Sequence, residues 1–174
     1  ISNGKTFLHS PRTSSDLMFT SISVNSPFVV RYPRGKALTA DWKTPFSEIM
    51  IGKGRKIVAS ENSDITVLSI GPVGNDVKSV VEKLCSDGYA ISHYDMVFLK
   101  PVDEDILEEV ASNSKRIITV EDGTVIGGLG TVVTEWFNEH GYNHKIDKIG
   151  VSDNWVHQGT VNELRKECGY DSSG

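Results

Sequence analysis

The chain has 174 residues, 18 basic and 23 acidic side chains for a formal charge of −5, and 38% apolar residues, which suits one globular domain of ordinary size. A net-acidic chain without a Lys or Arg run lacks the concentrated basic surface that nucleic acids and anionic membranes require. Its apolar runs are strand-sized, far short of the roughly 20 residues that span a bilayer. Ile1 begins without a basic-then-apolar leader, so a cytoplasmic protein is expected. Cys85 and Cys168 fall inside helical patterns with no second ligand at metal spacing, which reads as two buried thiols.

In chain order, the first signal is the apolar run Phe28-Val29-Val30, which ends in Arg31-Tyr32-Pro33-Arg34-Gly35. Pro33 fixes its own φ and biases Tyr32 toward extended backbone, while Gly35 frees the chain to turn away. Arg31 and Arg34 are thus displayed on a stiff segment. A guanidinium held this way can grip a phosphate or carboxylate bidentately, or form a salt bridge to a neighbouring domain or to one of the many acidic side chains of this chain.

After Gly52 the pattern alternates. Lys56–Ser60 and Ile65–Ile70 read as strands flanking the turn Glu61-Asn62-Ser63-Asp64, so a hairpin is expected there. Val77, Val80, Val81 and Leu84 repeat at helical spacing between Gly74 and Asp87, with Gly88 as the stop. Ile91–Val97 reads as the next strand. Asp103 is the expected N-cap of a helix burying Ile106, Leu107 and Val110. Ile117–Glu121 reads as a strand buried on both faces. Gly127-Gly128-Leu129-Gly130 opens a helix through Val132, Val133, Trp136 and Phe137 that ends near Gly141. Ile146–Val151 is a last strand, and Thr160 with Glu163 forms the capping box of a last helix reaching Cys168.

Strands alternating with single helices call for a three-layer α/β fold. The expected sheet is open, of about five strands, mostly parallel, with one antiparallel edge strand. Ligands in such sheets sit beyond the carboxyl ends of the strands, so the loops after Ile70, Val97, Glu121 and Val151 are the places to look. The Gly127–Gly130 segment could hold an anion at a helix N-terminus or could serve close backbone packing. It is neither a dinucleotide fingerprint nor a P-loop. Glu121 and Asp122 are adjacent carboxylates at a strand end; neighbours on a strand face opposite ways, so at most one can serve a given site. His157 has no identifiable carboxylate or nucleophile partner in the sequence.

Arg-Tyr-Pro-Arg-Gly at 31–35, Ile-Gly-Lys-Gly at 51–54, Lys-Pro-Val-Asp-Glu at 100–104, Thr-Val-Glu-Asp-Gly at 119–123, Gly-Gly-Leu-Gly at 127–130 and His-Gln-Gly-Thr-Val-Asn-Glu-Leu at 157–164 together resemble the C-terminal third of the 1-deoxy-D-xylulose-5-phosphate synthase family. These are transketolase-like thiamine-diphosphate enzymes. The resemblance implies two parts: residues 1–35 as the tail of the pyrimidine-binding domain, with its last helix near Ser14–Ser23 and last strand at Phe28–Arg31, and residues 36–174 as the transketolase C-terminal domain. It implies a transferase that condenses pyruvate with glyceraldehyde 3-phosphate to 1-deoxy-D-xylulose 5-phosphate and CO2, in isoprenoid and thiamine precursor synthesis. Arg34 is the implied phosphate-binding residue for the aldehyde, with Arg31 and Tyr32 shaping the segment.

Thiamine diphosphate and Mg2+ are implied for the intact enzyme. The Gly-Asp-Gly motif with its downstream Asn, and the glutamate that activates the aminopyrimidine, have no counterpart here, so no cofactor is expected on this chain alone and no catalytic residue is assigned. A homodimer is implied for the enzyme. Leu17, Phe28 and Val29 are expected to need cover, either by folding over the domain or by self-association. The alternative reading is a free-standing α/β module that binds a small anion or a partner protein and carries out no chemistry.

Overall fold

A computed structural model describes residues 11–32, 45–61 and 63–171, without the side chains of 11 and 12. Arg34, like the whole stretch 33–44, lies outside the described residues. The elements in order are α1 (Pro11–Ile22), β1 (Arg55–Val58), β2 (Ile65–Ile70), α2 (Val73–Ser86), β3 (Ile91–Asp95), α3 (Glu104–Asn113), β4 (Arg116–Thr124), α4 (Leu129–Glu139), β5 (Lys145–Val151) and α5 (Val161–Glu167).

The five strands form one sheet in the order β1-β3-β2-β4-β5, with β1 antiparallel to β3 and every other pair parallel. The expected α/β class and antiparallel edge strand are therefore present. The expected hairpin is not, because β1 pairs with β3 rather than β2. The crossover through α2 returns β3 into the place beside β2. The turn between β1 and β2 instead closes onto the start of β3: the Ser60 amide donates to Ser92 Oγ at 3.0 Å and the Asp64 amide to the Ala90 carbonyl at 3.0 Å. Phe28–Arg31 is not a strand either. A strand needs a ladder partner for its backbone groups, and the sheet offers this segment none.

Alternation along the strands sorts side chains onto two faces. Leu68, Tyr94, Met96 and Ile117 face α3 and α4, meeting Leu107, Val110, Leu129, Val133, Trp136 and Phe137 in the larger apolar cluster. Val67, Ile91 and Val120 face α2, against Val73 and Val81. Val80 turns away from that cluster and is exposed. Cys85 and Cys168 are free thiols, half-buried rather than buried. Among the described residues no helix is long and apolar enough to cross a membrane.

Capping follows the sequence. Asp103 accepts from the amides of Asp105 and Ile106 at the start of α3. At the start of α5, Glu163 Oε2 accepts from the Thr160 amide at 2.9 Å, and Thr160 Oγ1 accepts from the Glu163 amide at 3.4 Å. Past α2, Gly88 takes φ +95°, and the Tyr89 amide donates back to the Leu84 carbonyl at 3.1 Å.

Candidate functional site at the carboxyl edge of the sheet

The connection from β2 runs to one side of the sheet and the connection from β4 to the other. Neighbouring strands that send their chains apart open a crevice at their carboxyl ends, the place where open α/β sheets hold ligands. Here the switch point falls between Ile70-Gly71-Pro72 and Glu121-Asp122-Gly123.

The two carboxylates at the end of β4 do face opposite ways. Glu121, only 6% exposed, turns toward α4, where its Oε2 and Oε1 accept from the Leu129 and Gly130 amides at 3.0 Å each. The free amides of that helix N-terminus thus already hold an anion, and it is this chain's own carboxylate. Gly128 is required for the approach: a Cβ there would lie 2.6 Å from the Glu121 carboxyl carbon. Of the two readings of the Gly-rich segment, the structure carries the packing one.

Asp122 turns to the α2 face and meets Arg165 of α5 in a fork. Arg165 Nε donates to Oδ1 at 3.1 Å and Nη2 to Oδ2 at 2.8 Å, while Nη1 reaches Asp76 Oδ2 in the first turn of α2 at 2.6 Å. Burial works against the Arg165 charge, and the two carboxylates outweigh it, so its pKa is raised. The pairing escaped sequence reading because its members lie 43 and 89 positions apart; the only signal was the parity that sends Asp122 to the α2 face.

Arg31 is exposed, and its Nη2 donates to the Asp122 carbonyl at 3.4 Å. On the opposite side of that extended segment, Phe28 and Val30 pack with Leu17 against Val97 and Phe98, just past β3. Leu17 is thereby covered by this chain itself, whereas Val29 stays 92% exposed. Val97 has φ +52°, a left-handed conformation that a β-branched residue rarely adopts. The Asp95 carboxylate accepts from its amide at 3.2 Å, and the Phe98 amide closes onto the Met96 carbonyl. Strain of this kind costs about 1–3 kcal/mol and gathers at functional sites. No sequence signal marked it.

His157 has its own carboxylate partner, on α5. It is exposed and pairs through Nδ1 with Glu167 Oε1 at 3.0 Å, holding that carboxyl below its ordinary range. Nearer the other rim, Lys53 bonds Asp105 and also Asp103 at 3.2 Å, and the Gly54 amide bonds Asp103 at 2.8 Å. The motif blocks of the sequence thus meet in pairs. Ile-Gly-Lys-Gly touches Lys-Pro-Val-Asp-Glu, Gly-Gly-Leu-Gly touches Thr-Val-Glu-Asp-Gly, and Arg31 touches the Asp122 carbonyl of that same block in β4.

The described residues do not fit thiamine diphosphate or its metal. They contain no group of three His, Cys, Asp or Glu side chains able to hold a metal ion. The Gly-rich helix start, the natural cradle for a diphosphate, is filled by Glu121.

Comparison with known proteins agrees with this architecture. Residues 52–174 match the family described as transketolase, C-terminal domain. The chain is 46% identical over 157 residues to a 1-deoxy-D-xylulose-5-phosphate synthase of Bacteroides thetaiotaomicron, covering 89% of this chain and 24% of that protein. It is 34% identical over 148 residues to the synthase of Carboxydothermus hydrogenoformans, covering 85% and 23%. The chain therefore spans about a quarter of the length of the curated relatives it matches. A solved structure described as a split gene transketolase, inactive beta4 tetramer, superposes with a TM-score of 0.65 at 29% identity, over 73% of this chain and 41% of that one. The match over residues 52–174 takes in well over half of the chain, and the chain belongs to the transketolase C-terminal domain family.

Proposed function

We propose that this chain is the C-terminal part of a 1-deoxy-D-xylulose-5-phosphate synthase, a cytoplasmic homodimer that condenses pyruvate with glyceraldehyde 3-phosphate and releases CO2. The observation that carries the reading is the 46% identity to such a synthase over 157 residues. Residues 1–35 belong to the preceding pyrimidine-binding domain, and residues 36–174 form the C-terminal domain. On this reading thiamine diphosphate and Mg2+ bind to other parts of the longer protein, a view supported by Glu121, which occupies the amides of the Gly-rich helix start.

On this reading the present chain contributes substrate affinity. Arg34 holds the phosphate of the aldehyde, in a segment whose near end, Arg31, rests on the carboxyl edge of the sheet. The chain alone is inactive, a view supported by the relative described as an inactive tetramer of a split-gene transketolase.

In the full-length enzyme, Arg34→Ala should raise KM for glyceraldehyde 3-phosphate about tenfold or more, the value of a charge-assisted hydrogen bond. KM for pyruvate should stay within about twofold, because the phosphate is absent from that substrate. An unchanged aldehyde KM with the fold intact would remove Arg34 from the site.

A further inference from the structure

The switch point between β2 and β4, where sheets of this class admit ligands, is spanned by one side chain of α5. Arg165 reaches Asp122 on β4 through Nε and Nη2, at 3.1 and 2.8 Å, and Asp76 in the first turn of α2 through Nη1, at 2.6 Å. Strand β2 leads directly into α2, so the two carboxylates belong to opposite rims and the guanidinium bridges them.

Charge, more than apolar burial, holds α5 there. The helix buries none of its residues, Val161 is 48% exposed, and the apolar cluster under α2 is assembled without it. Its ion pairs to β4 and α2 both come from Arg165, whose side chain is 15% exposed. Thr160 with Glu163 and His157 with Glu167 instead close contacts within the same stretch of chain. The connection over 152–160 is exposed apart from the half-buried Val156, so little packing ties it down. A helix of seven residues is also far below the roughly 12–15 at which an isolated helix becomes marginal in water. Helix α5 therefore keeps its shape only while docked.

The geometry points to α5 as a releasable strap: it closes the switch point by laying Arg165 between Asp76 and Asp122, and it lifts and unravels when that fork opens, with the sheet beneath left folded. Access to the carboxyl edge from the α2 side is thereby governed by the strap, and the chain's own guanidinium occupies the gap while it is shut. Asp76 is 54% exposed, so its arm of the fork is the one that solvent and salt weaken first. The strap does not depend on which substrate the longer protein takes.

Hydrogen exchange of the full-length protein, read by mass spectrometry, tests this, because the α5 amides lose protection when the strap opens. Gln has nearly the helix propensity of Arg, so Arg165→Gln isolates the fork. In that variant, peptides spanning 161–168 should exchange about tenfold faster, corresponding to about 1.4 kcal/mol, while peptides from β4 and α2 stay within about twofold. Raising NaCl from about 0.05 to about 1 M should quicken 161–168 about threefold in the parent protein and leave the variant unmoved. Should Arg165→Gln fail to fold, Asp76→Asn removes one arm from an exposed position and should quicken the same peptides about threefold.

Unchanged exchange over 161–168 in folded Arg165→Gln, or in Asp76→Asn where that variant stands in for it, would overturn the strap. Equal quickening in β4 and α2 would also overturn it, because α5 would then open only with the sheet. A salt response that persists undiminished in Arg165→Gln would place the latch outside the fork and have the same consequence.

Discussion

The two faces of the sheet are built from the same strands and hold their helices by different means. The face under α3 and α4 is apolar and aromatic: Phe137, Leu107 and Leu129 are at most 1% exposed, and Trp136 stacks on Tyr142 at 5.9 Å and on His140 at 4.1 Å. The face under α2 and α5 has a smaller apolar cluster and a run of polar contacts, including Ser69 with His93 and Asp122 with Arg165. Helix α5 buries none of its residues. Apolar burial carries no titrating group and is not screened by salt, whereas ion pairs are screened and a buried imidazole titrates. The comparison teaches that stability resides on one face and adjustability on the other, with β4 contributing a carboxylate to each.

The strongest way to break that division is at Glu121, the polar element built into the apolar face. Glu121→Ala leaves two amides without their acceptor under the α4 start, at about 1–3 kcal/mol each, so a loss of about 3 kcal/mol is expected in urea unfolding. Gly128→Ala should cost a similar amount by driving a methyl group into the carboxylate. Combining them should add little, since the methyl group then meets no carboxylate. Additive losses would show that Gly128 matters for another reason.

The sequence made much of this readable. Period-two alternation along 117–122 by itself sends Glu121 and Asp122 to opposite faces, and the capping residues Asp103 and Thr160 mark true helix starts. The partner of β1 was not readable, because a short turn between two strands signals a hairpin while the sheet order depends on where α2 returns the chain. The fork at Arg165 and the seat of Arg31 join residues 43 and 91 positions apart, and no local pattern encodes such contacts. The Phe28–Arg31 run has the composition of a strand, yet strands are defined by partners, and composition does not supply one. Arg34 itself lies outside the described residues, so its role rests on resemblance.

The polar face should reveal itself in acid. His93 is fully buried on β3, its Nε2 2.8 Å from Ser69 Oγ and its Nδ1 without a partner. Burial, with a smaller contribution from Lys78, lowers its pKa to about 4, against roughly 6.5 in an unfolded chain. Between those values the unfolded chain binds the proton and the folded one does not, so stability falls as pH drops through this window and is unaffected above it. The full loss is up to about 3 kcal/mol. Urea unfolding at pH 7.5 and 4.5 should show most of it, and His93→Gln should flatten the difference. Equal losses in both proteins would move the acid sensitivity to other groups.

The smallest effect is expected at α5, and it asks whether the polar face is one cooperative unit with the core. Thr160 and Glu163 satisfy each other's amides, and the Glu163 carboxyl is held below its ordinary range chiefly by the Thr160 backbone. Thr160→Ala removes the hydroxyl acceptor, and cap losses of this kind cost about 1 kcal/mol. Because α5 buries no residue, that cost should appear as local opening, with tryptic cleavage at Lys166 quickening about fivefold. Global stability in urea should move by less than about 0.5 kcal/mol, as for surface changes generally. A global loss as large as the local one would mean that the Arg165 fork couples α5 to the whole sheet, and the two faces would then unfold as one.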